Sequence, residues 1–197
     1  MKSRYDDPRF DDLSLASPLL GGPTFALRFR LMRLAWLVAW RCLAAWTPSP
    51  FHPWRNRLLR LFGARLDPTA IVHGSTVIWW PGNLVMGANA SMGPGVICYN
   101  VAPVTLEAMA IVSQRAHLCT GTHDIQQPSF PLVARPIVLR RNSWVAAEAF
   151  VGPGTEVGEG AVLGARGVAV KALDPWMVYV GNPARAVASR RHGAGNA

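Results

Sequence analysis

Residues 143–167 read SWVAAEAFVGPGTEVGEGAVLGARG, and the spacing of their side chains decides the fold. Aliphatic residues recur in this stretch every six positions, at Val145, Val151, Val157 and Leu163. The residue four places beyond each of them is small: Ala149, Thr155, Ala161 and Gly167. Helices repeat about every 3.6 residues and strands about every two, so this period fits neither. It fits a chain that turns a corner every six residues, with three flat segments in each coil of about 18 residues and with coils stacked as parallel strands.

The same spacing extends toward the N-terminus in three further runs of inward-pointing residues: Leu66, Val72 and Ile78; Met86, Met92 and Cys98; Leu106, Val112 and Leu118. We expect the residue four places beyond each, Gly82 and Thr122 among them, to fill a tight corner. The pattern predicts an all-β fold, a parallel β-helix over 64–188. Its one large interruption, 124–136, contains three prolines and cannot continue the coil. Loops on rigid scaffolds commonly carry binding and catalytic residues.

Two helical segments are predicted before the β-helix. We divide the chain into a disordered tail over 1–22, a helical extension over 23–63, the β-helix over 64–188 and a disordered tail over 189–197. The extension contains a helix over 25–46 and a shorter one over 54–62, separated by a proline-rich break. Gly63 is suited to end the second helix.

The first of these helices is apolar but carries a basic stripe. At about 100° per residue, Arg30, Arg33 and Arg41 fall within an arc of roughly 80°. The longest uncharged stretch, 34–40, is far shorter than the roughly 20 residues that a bilayer span needs. Two interpretations stay open. The helix packs on a neighbouring subunit or on the end of the β-helix, or it lies in a membrane interface with Trp36, Trp40 and Trp46 at the acyl boundary.

The charge balance restricts the partners. The chain has 197 residues, with 20 Lys plus Arg against 11 Asp plus Glu, and Lys2 and Lys171 are its only lysines. This surplus suits nucleic acid, acidic lipid or a phosphorylated cofactor. Zinc-finger spacing and basic runs interleaved with aromatics are missing from the sequence, which disfavours nucleic acid. The three cysteines form no disulfide framework and the first residues lack signal-peptide character, so we expect a cytoplasmic protein.

Several short motifs stand at particular places in this pattern. Gly-Thr-His-Asp at 121–124 opens the long loop, Asn-Ser-Trp-Val at 142–145 follows it, and Gly-Asn-Pro-Ala-Arg at 181–185 closes the coil. Together with the hexads, this order resembles the left-handed parallel β-helix acetyltransferases of the hexapeptide-repeat superfamily. It is most similar to the maltose, galactoside and nodulation acetyltransferases, and among these to the colanic acid biosynthesis acetyltransferases. The left hand comes from the resemblance, since spacing does not set it.

The resemblance implies an acetyl-CoA-dependent O-acetyltransferase of polysaccharide biosynthesis whose acceptor is a hydroxyl of a sugar or glycan precursor. His123 would be the general base, because imidazole gains and loses a proton near neutral pH. Asn100 and Asp124 would contact the acceptor side of the site. Trp144 would stand beside the arm of coenzyme A. A structural role is the alternative for Asn100, as a corner amide that satisfies backbone groups.

The coenzyme A positions implied by the resemblance follow the loop. They are Ala147, Ala165, Val170, Lys171 and Arg185. Small side chains would let the arm lie close to the coil, and Lys171 and Arg185 would pair with phosphate oxygens. The resemblance also implies a homotrimer with active sites between subunits and no required metal. If the helix over 25–46 binds lipid, the protein would lie on the inner face of the cytoplasmic membrane.

The sequence leaves three alternatives open. A carbonic-anhydrase-like metal hydratase would need His73, His117 and His123 as ligands, but the last two stand on adjacent flats of one coil and point apart. A thiol mechanism would use Cys119, which sits in a regular hexad with only His123 as a nearby activating group. A membrane-docked scaffold without catalysis would leave the His123 loop without a purpose.

Overall fold

The computed structural model describes residues 25–191 as two helices followed by a β-helix. Helix α1 spans Leu27–Leu43, a 3₁₀ turn spans Ser49–Phe51 and helix α2 spans His52–Leu61. Gly63 follows α2 with a φ of 94°, a left-handed conformation that ends the helix. Residues 1–24 and 192–197, which include the predicted tail over 1–22, lie outside the described residues.

Nineteen strands, numbered in chain order, form the described β-helix and its loop. Three sheets, parallel apart from the last pair of strands, make the faces of a triangular prism. The first face contains β1 Arg65–Leu66, β4 Leu84–Met86, β7 Val104–Leu106, β12 Ile137–Leu139 and β15 Glu156–Val157. The second contains β2 Ile71–Val72, β5 Ser91–Met92, β8 Ile111–Val112, β13 Trp144–Val145, β16 Val162–Leu163, β18 Met177–Val180 and β19 Arg185–Ser189. The third contains β3 Val77–Ile78, β6 Ile97–Tyr99, β9 His117–Cys119, β14 Phe150–Val151 and β17 Val168–Ala169.

The predicted inward positions form the core. Every aliphatic residue of the four runs is buried, from Leu66 at 9% exposure to Leu163 at 0%. The small residues fill the corners, with two exceptions. Gly82 lies in a 3₁₀ turn over Pro81–Asn83, and Thr122 lies exposed in a hairpin, because the chain has left the regular coil at both positions.

Coil length is less uniform than the predicted 18 residues. Arg65 pairs with Val85, and Val85 pairs with Thr105, whereas Val138 pairs with Glu156 in the later coils. The early coils are longer because each carries extra residues at the corner after the third face. That corner is where the long loop also leaves the β-helix.

An antiparallel hairpin closes the end of the β-helix. Strands β18 and β19 pair from Met177 opposite Ser189 to Val180 opposite Arg185. Arg190 follows and donates to the carbonyls of Asn142 and Gly160 at 2.9 Å and 3.0 Å. The closing hairpin and its contacts thus extend past residue 188, through Ser189 and Arg190.

The helical extension packs against the early coils. Trp36 and Trp40 are buried, and the Trp36 indole donates to the Ile78 carbonyl at 2.8 Å. The Asn56 amide of α2 donates to the Ala70 carbonyl at 2.7 Å. Of the two interpretations of the first helix, packing on the β-helix therefore holds for the face that carries these tryptophans.

Candidate active site

The long loop is a short antiparallel hairpin that rises from the corner between the third and first faces. Strands β10, Gly121–His123, and β11, Leu132–Ala134, pair with His123 opposite Leu132. Gly121 starts the hairpin over the ring of Tyr99, where a Cβ would lie 2.9 Å from Tyr99 Cε1. A larger residue there would push the hairpin off its supporting coil.

His123 is held by one residue of the same loop. Its Nδ1 lies 2.9 Å from the Phe130 carbonyl oxygen, and its ring stacks on the Phe130 ring with centroids 4.6 Å apart and planes 10° from parallel. A carbonyl oxygen only accepts, so this contact is a hydrogen bond only when Nδ1 carries the proton. In that neutral tautomer Nε2 has a free lone pair and can accept a proton.

Phe130 is the functional residue that the sequence analysis missed. It adopts a φ of 50°, which is uncommon for a bulky residue and more so for one that precedes a proline. The signal in the sequence was weak, an aromatic side chain between Ser129 and Pro131 in a proline-rich loop. Its partnership with His123 depends on the hairpin register, which spacing does not reveal.

Aromatic side chains line the same corner below the hairpin, with edge-to-face contact between them. Tyr99 pairs with Cys119 in adjacent coils, and the rings of Trp79 and Tyr99 meet with centroids 5.9 Å apart. The Arg33 guanidinium of α1 lies 4.2 Å from the centroid of the Trp79 ring. The column therefore connects α1 to the base of the His123 hairpin.

Cys119 is unsuited to a thiol mechanism. Its Sγ donates to the Gly121 carbonyl at 3.3 Å, and burial raises the pKa of the thiol although this contact lowers it. A raised pKa leaves less of the reactive thiolate at neutral pH.

Two of the predicted coenzyme A positions stand on the His123 corner. Val170 lies one coil above Gly152, where a Cβ would be 3.1 Å from Val170 Cγ1, and Gly152 lies one coil above Cys119. Val170 and Lys171 are both exposed. The structure thus places them on the same edge of the prism as the hairpin.

The other coenzyme A positions lie toward the opposite edge of the third face. Ala147 and Ala165 share a corner in consecutive coils, as the hydrogen bond from Arg166 N to Ala147 O at 2.9 Å shows. Arg185 begins β19 and is exposed. These residues border the upper coils of the third face without touching His123.

Trp144 stands on a different face from His123. It belongs to β13 of the second face, is 43% exposed and donates from its indole to Ser113 Oγ at 2.9 Å. One β-helix therefore does not bring Trp144 and His123 together.

Asn100 lies inside the β-helix, at a corner between two coils. Asn100 is 0% exposed, its Oδ1 accepts from Trp80 N at 3.0 Å, and its Nδ2 donates to Trp80 O at 2.7 Å. The side chain ties two coils together at a corner and has no free group for an acceptor. The structural alternative stated for Asn100 is the one observed.

Asp124 organises the turn of the loop. Its carboxylate accepts from Gln126 N at 2.9 Å and from the Gln127 side chain at 3.0 Å. Its half-buried side chain lies next to His123 in the chain, so it supports the loop that carries the imidazole.

The three histidines of the metal alternative are dispersed. His73 lies near Ser49 below the site, His117 is on the third face against Phe150, and His123 is on the hairpin. Within residues 25–191, no group of three or more His, Cys, Asp and Glu side chains is placed to hold a metal ion.

Comparisons with known proteins identify the relatives of this chain. No family model matches it. It is 37% identical over 155 residues to the assigned colanic acid biosynthesis acetyltransferase WcaF of Escherichia coli K12, a match that covers 79% of this chain and 85% of the relative. The same figures hold for the WcaF protein of Shigella flexneri.

Solved structures share the architecture. A maltose O-acetyltransferase from Clostridium difficile 630 superposes with a TM-score of 0.73 and 21% identity, covering 85% of this chain and 90% of the other. A galactoside acetyltransferase solved with coenzyme A superposes with a TM-score of 0.75 and 19% sequence identity, and the match covers 84% of each chain. A hexapeptide-repeat acetyltransferase from Vibrio cholerae solved with acetyl coenzyme A superposes with a TM-score of 0.73 and 17% sequence identity. The match covers 85% of this chain and 91% of the other.

The fold is that of the left-handed parallel β-helix acyltransferases, as the motifs of the sequence predicted. The similarity to the WcaF proteins extends to the amino-acid sequence as well as the fold. The chain belongs to the hexapeptide-repeat acetyltransferases, in the group of colanic acid biosynthesis acetyltransferases.

Proposed function

We propose that this protein transfers an acetyl group from acetyl-CoA to a sugar hydroxyl of a surface polysaccharide or its precursor, with His123 as general base. The observation that carries the proposal is the bond from His123 Nδ1 to the Phe130 carbonyl at 2.9 Å. It leaves Nε2 as the proton acceptor on the half-buried side chain of a loop beside exposed coenzyme A positions.

The reaction needs one proton transfer in each direction. His123 Nε2 takes the proton from the acceptor hydroxyl while its oxygen attacks the carbonyl carbon of the thioester. The C–S bond then breaks and the imidazolium returns the proton to the departing sulfur. The products are an O-acetyl ester and coenzyme A. General-base assistance of this kind contributes typically about 10² to 10⁴ in rate.

The coenzyme would lie along the third face of the β-helix. Two of the solved structures with this fold are complexes with coenzyme A or acetyl coenzyme A, which supports a coenzyme site in such a protein. Ala147 and Ala165 leave room for its extended arm at one edge. Lys171 and Arg185 are exposed and offer positive charge to its phosphates. Lys171 lies on the same edge of the prism as His123. This placement supports a binding mode in which acetyl-CoA extends from its phosphates to its thioester in the direction of the imidazole.

A homotrimer would complete the site. Trp144 and His123 lie on different faces of one prism, so a thioester that touches both must pass between two copies. Exposed apolar side chains on the second and third faces support burial between copies: Ile111 at 45%, Trp144 at 43% and Ile97 at 41%. Cyclic assemblies of identical chains bury such unlike faces against each other.

The acceptor is proposed from the relatives. WcaF is named for colanic acid biosynthesis, and the solved relatives include enzymes named for maltose and galactoside. Their shared chemistry is acetylation of a saccharide, which supports a sugar hydroxyl as the acceptor here. The metal hydratase remains the rival enzyme, and a stoichiometric zinc ion in the pure protein would favour it.

Mass spectrometry of glycans incubated with the protein and acetyl-CoA tests this function. We expect one class of saccharide to gain an acetyl group, with equimolar release of coenzyme A thiol. His123→Ala should lower the turnover by about 10² to 10⁴. His73→Gln is the matched control, since His73 lies below the site, and should keep full activity. Equal turnover by wild type and His123→Ala would refute the assignment of the base.

A further inference from the structure

Helix α1 presents an apolar stripe to the outside of the molecule. Leu27, Leu31, Leu34 and Val38 are 66%, 57%, 57% and 54% exposed. At about 100° per residue they fall within an arc of roughly 60°. Isolated exposed apolar residues are ordinary, whereas a contiguous stripe of this length marks an interaction surface.

The packing of α1 fixes this stripe outward. Trp36 and Trp40 lie on the opposite side of the helix and are 1% and 8% exposed against the β-helix. The Trp36 indole bond to Ile78 prevents the helix from rolling about its axis. The stripe therefore cannot turn inward without breaking the core contacts of the extension.

Arginines border the stripe, and the helical extension from residue 25 to residue 64 contributes no acidic residue. Arg30 and Arg41 are exposed and lie within about 40° of one edge of the stripe on the same helical count, and the exposed Arg28 lies beyond the other edge. Arg33 does not belong to this border, because it packs over Trp79. The sequence from 25 to 64 contains seven arginines and no Asp or Glu.

Aromatic rings extend the apolar surface at the C-terminal end of α1. Trp46 is 74% exposed and its indole donates to the Cys42 carbonyl at 2.8 Å. Trp54 is 42% exposed and donates to the Leu43 carbonyl at 2.8 Å. These bonds hold both rings at the helix end, and tryptophan is the residue enriched at the boundary between lipid and water.

We propose that α1 docks this protein on an anionic lipid surface, with the apolar stripe in the acyl boundary and Arg28, Arg30 and Arg41 among the headgroups. Charge decides between the possible occupants of the stripe. A second copy that met the stripe with its own α1 would oppose arginines to arginines, whereas acidic headgroups complement them. Among residues 25–191, neither helix has the length and hydrophobicity of a membrane span.

Co-sedimentation of the full chain with vesicles tests the proposal independently of catalysis. Vesicles of phosphatidylglycerol and phosphatidylethanolamine are compared with vesicles of phosphatidylcholine. We expect strong binding to the anionic vesicles alone, with a loss as salt is raised from 0.1 M to 0.5 M, because screening shortens the range of the charge interaction. Cys42, which is exposed beside the stripe, can carry an environment-sensitive fluorophore that shifts to shorter wavelength on binding.

Two sets of variants separate the apolar and charged parts. Leu31→Ser, Leu34→Ser and Val38→Ser together should lower the partition coefficient at least about tenfold. Arg30→Gln with Arg41→Gln should lower it roughly tenfold on anionic vesicles. Met109→Ser and Arg65→Gln are matched controls, because both residues are exposed on the β-helix, and should bind as wild type does. Circular dichroism checks that each variant is folded.

The proposal is overturned if the wild type binds neutral and anionic vesicles equally, or if neither set of variants weakens binding. It is also overturned if the wild type leaves vesicles unbound while the triple serine variant changes the oligomeric size. That last outcome would assign the stripe to contact between copies of this chain.

Discussion

Replacing Arg55 with methionine should detach the helical extension from the β-helix. Arg55 is 0% exposed, and it has no carboxylate partner among its hydrogen bonds. Its Nε donates to Val72 O at 2.6 Å, and Nη2 donates to Ser49 O at 2.8 Å. Its Nη1 donates to Thr47 Oγ1 at 2.8 Å, Thr47 O at 3.3 Å and Pro48 O at 2.9 Å. One guanidinium thus joins the loop between the helices to the first coil of the β-helix.

Two opposing contributions set the loss of stability expected for Arg55→Met. Hydrogen bonds from a charged donor contribute about 1.5–3 kcal/mol each. Nη1 has two N–H groups for its three acceptors, so the guanidinium makes four full bonds, which contribute roughly 6–12 kcal/mol. Burying the charge costs several kcal/mol, which cancels much of that gain. We expect Arg55→Met to lower the free energy of unfolding by about 3–5 kcal/mol and the melting temperature by roughly 10 °C.

Urea denaturation at matched protein concentration measures this loss. Arg57→Met is the control, because Arg57 is on the same helix but exposed, and should change the free energy by no more than about 0.5 kcal/mol. If Arg55→Met unfolds within about 1 kcal/mol of the wild type, the guanidinium does not hold the extension and the argument fails.

Three further changes test the site and the coil. In steady-state assays, Phe130→Ala should lower kcat about tenfold and leave the KM for acetyl-CoA unchanged. The reason is that ring stacking worth about 0.5–1.5 kcal/mol orients His123. A changed KM together with full kcat would contradict this expectation. Burial lowers the pKa of His117, so the folded state resists protonation and stability should fall as the pH drops below about 6.5, the unfolded value. His117→Gln should flatten that fall in urea titrations at pH 7, 6 and 5, and an unchanged slope would refute it. Gly158→Ala should cost roughly 1–3 kcal/mol in thermal unfolding, because its Cβ would lie 2.6 Å from Pro175 N; an unchanged melting temperature would contradict the close approach.

The β-helix was predictable because its geometry leaves a periodic mark in the chain. A coil admits one inward aliphatic residue and one small corner residue per flat segment, so residues such as Val151 and Thr155 repeat in step. The predictions failed where insertions at one corner lengthen the coil. Gly82 and Thr122 fit the six-residue spacing of small residues, but the backbone at both positions lies outside the regular coil.

The site was predictable only in part, because position along the chain does not set the direction of a side chain at a corner. The hydrophobic pattern is the same whether the Asn100 amide turns toward the coils or toward solvent, and the structure turns it inward. His123 could be singled out as a candidate because it stands at the break in the pattern. Its partner Phe130 follows from the pairing of β10 with β11, a tertiary feature without a short sequence signature.

The hairpin explains why a strained residue stands next to the proposed base. A left-handed φ of 50° at Phe130 costs on the order of 1–3 kcal/mol, and the ladder between β10 and β11 together with the bond from Asp124 N to Pro131 O at 3.0 Å sustains it. That conformation aims the Phe130 carbonyl and ring at one imidazole together. On an unconstrained loop, His123 would exchange tautomers and rotamers, and Nε2 would face an acceptor only part of the time. The hydrogen bonds of the hairpin therefore hold the His123 imidazole in one orientation despite the strain at Phe130.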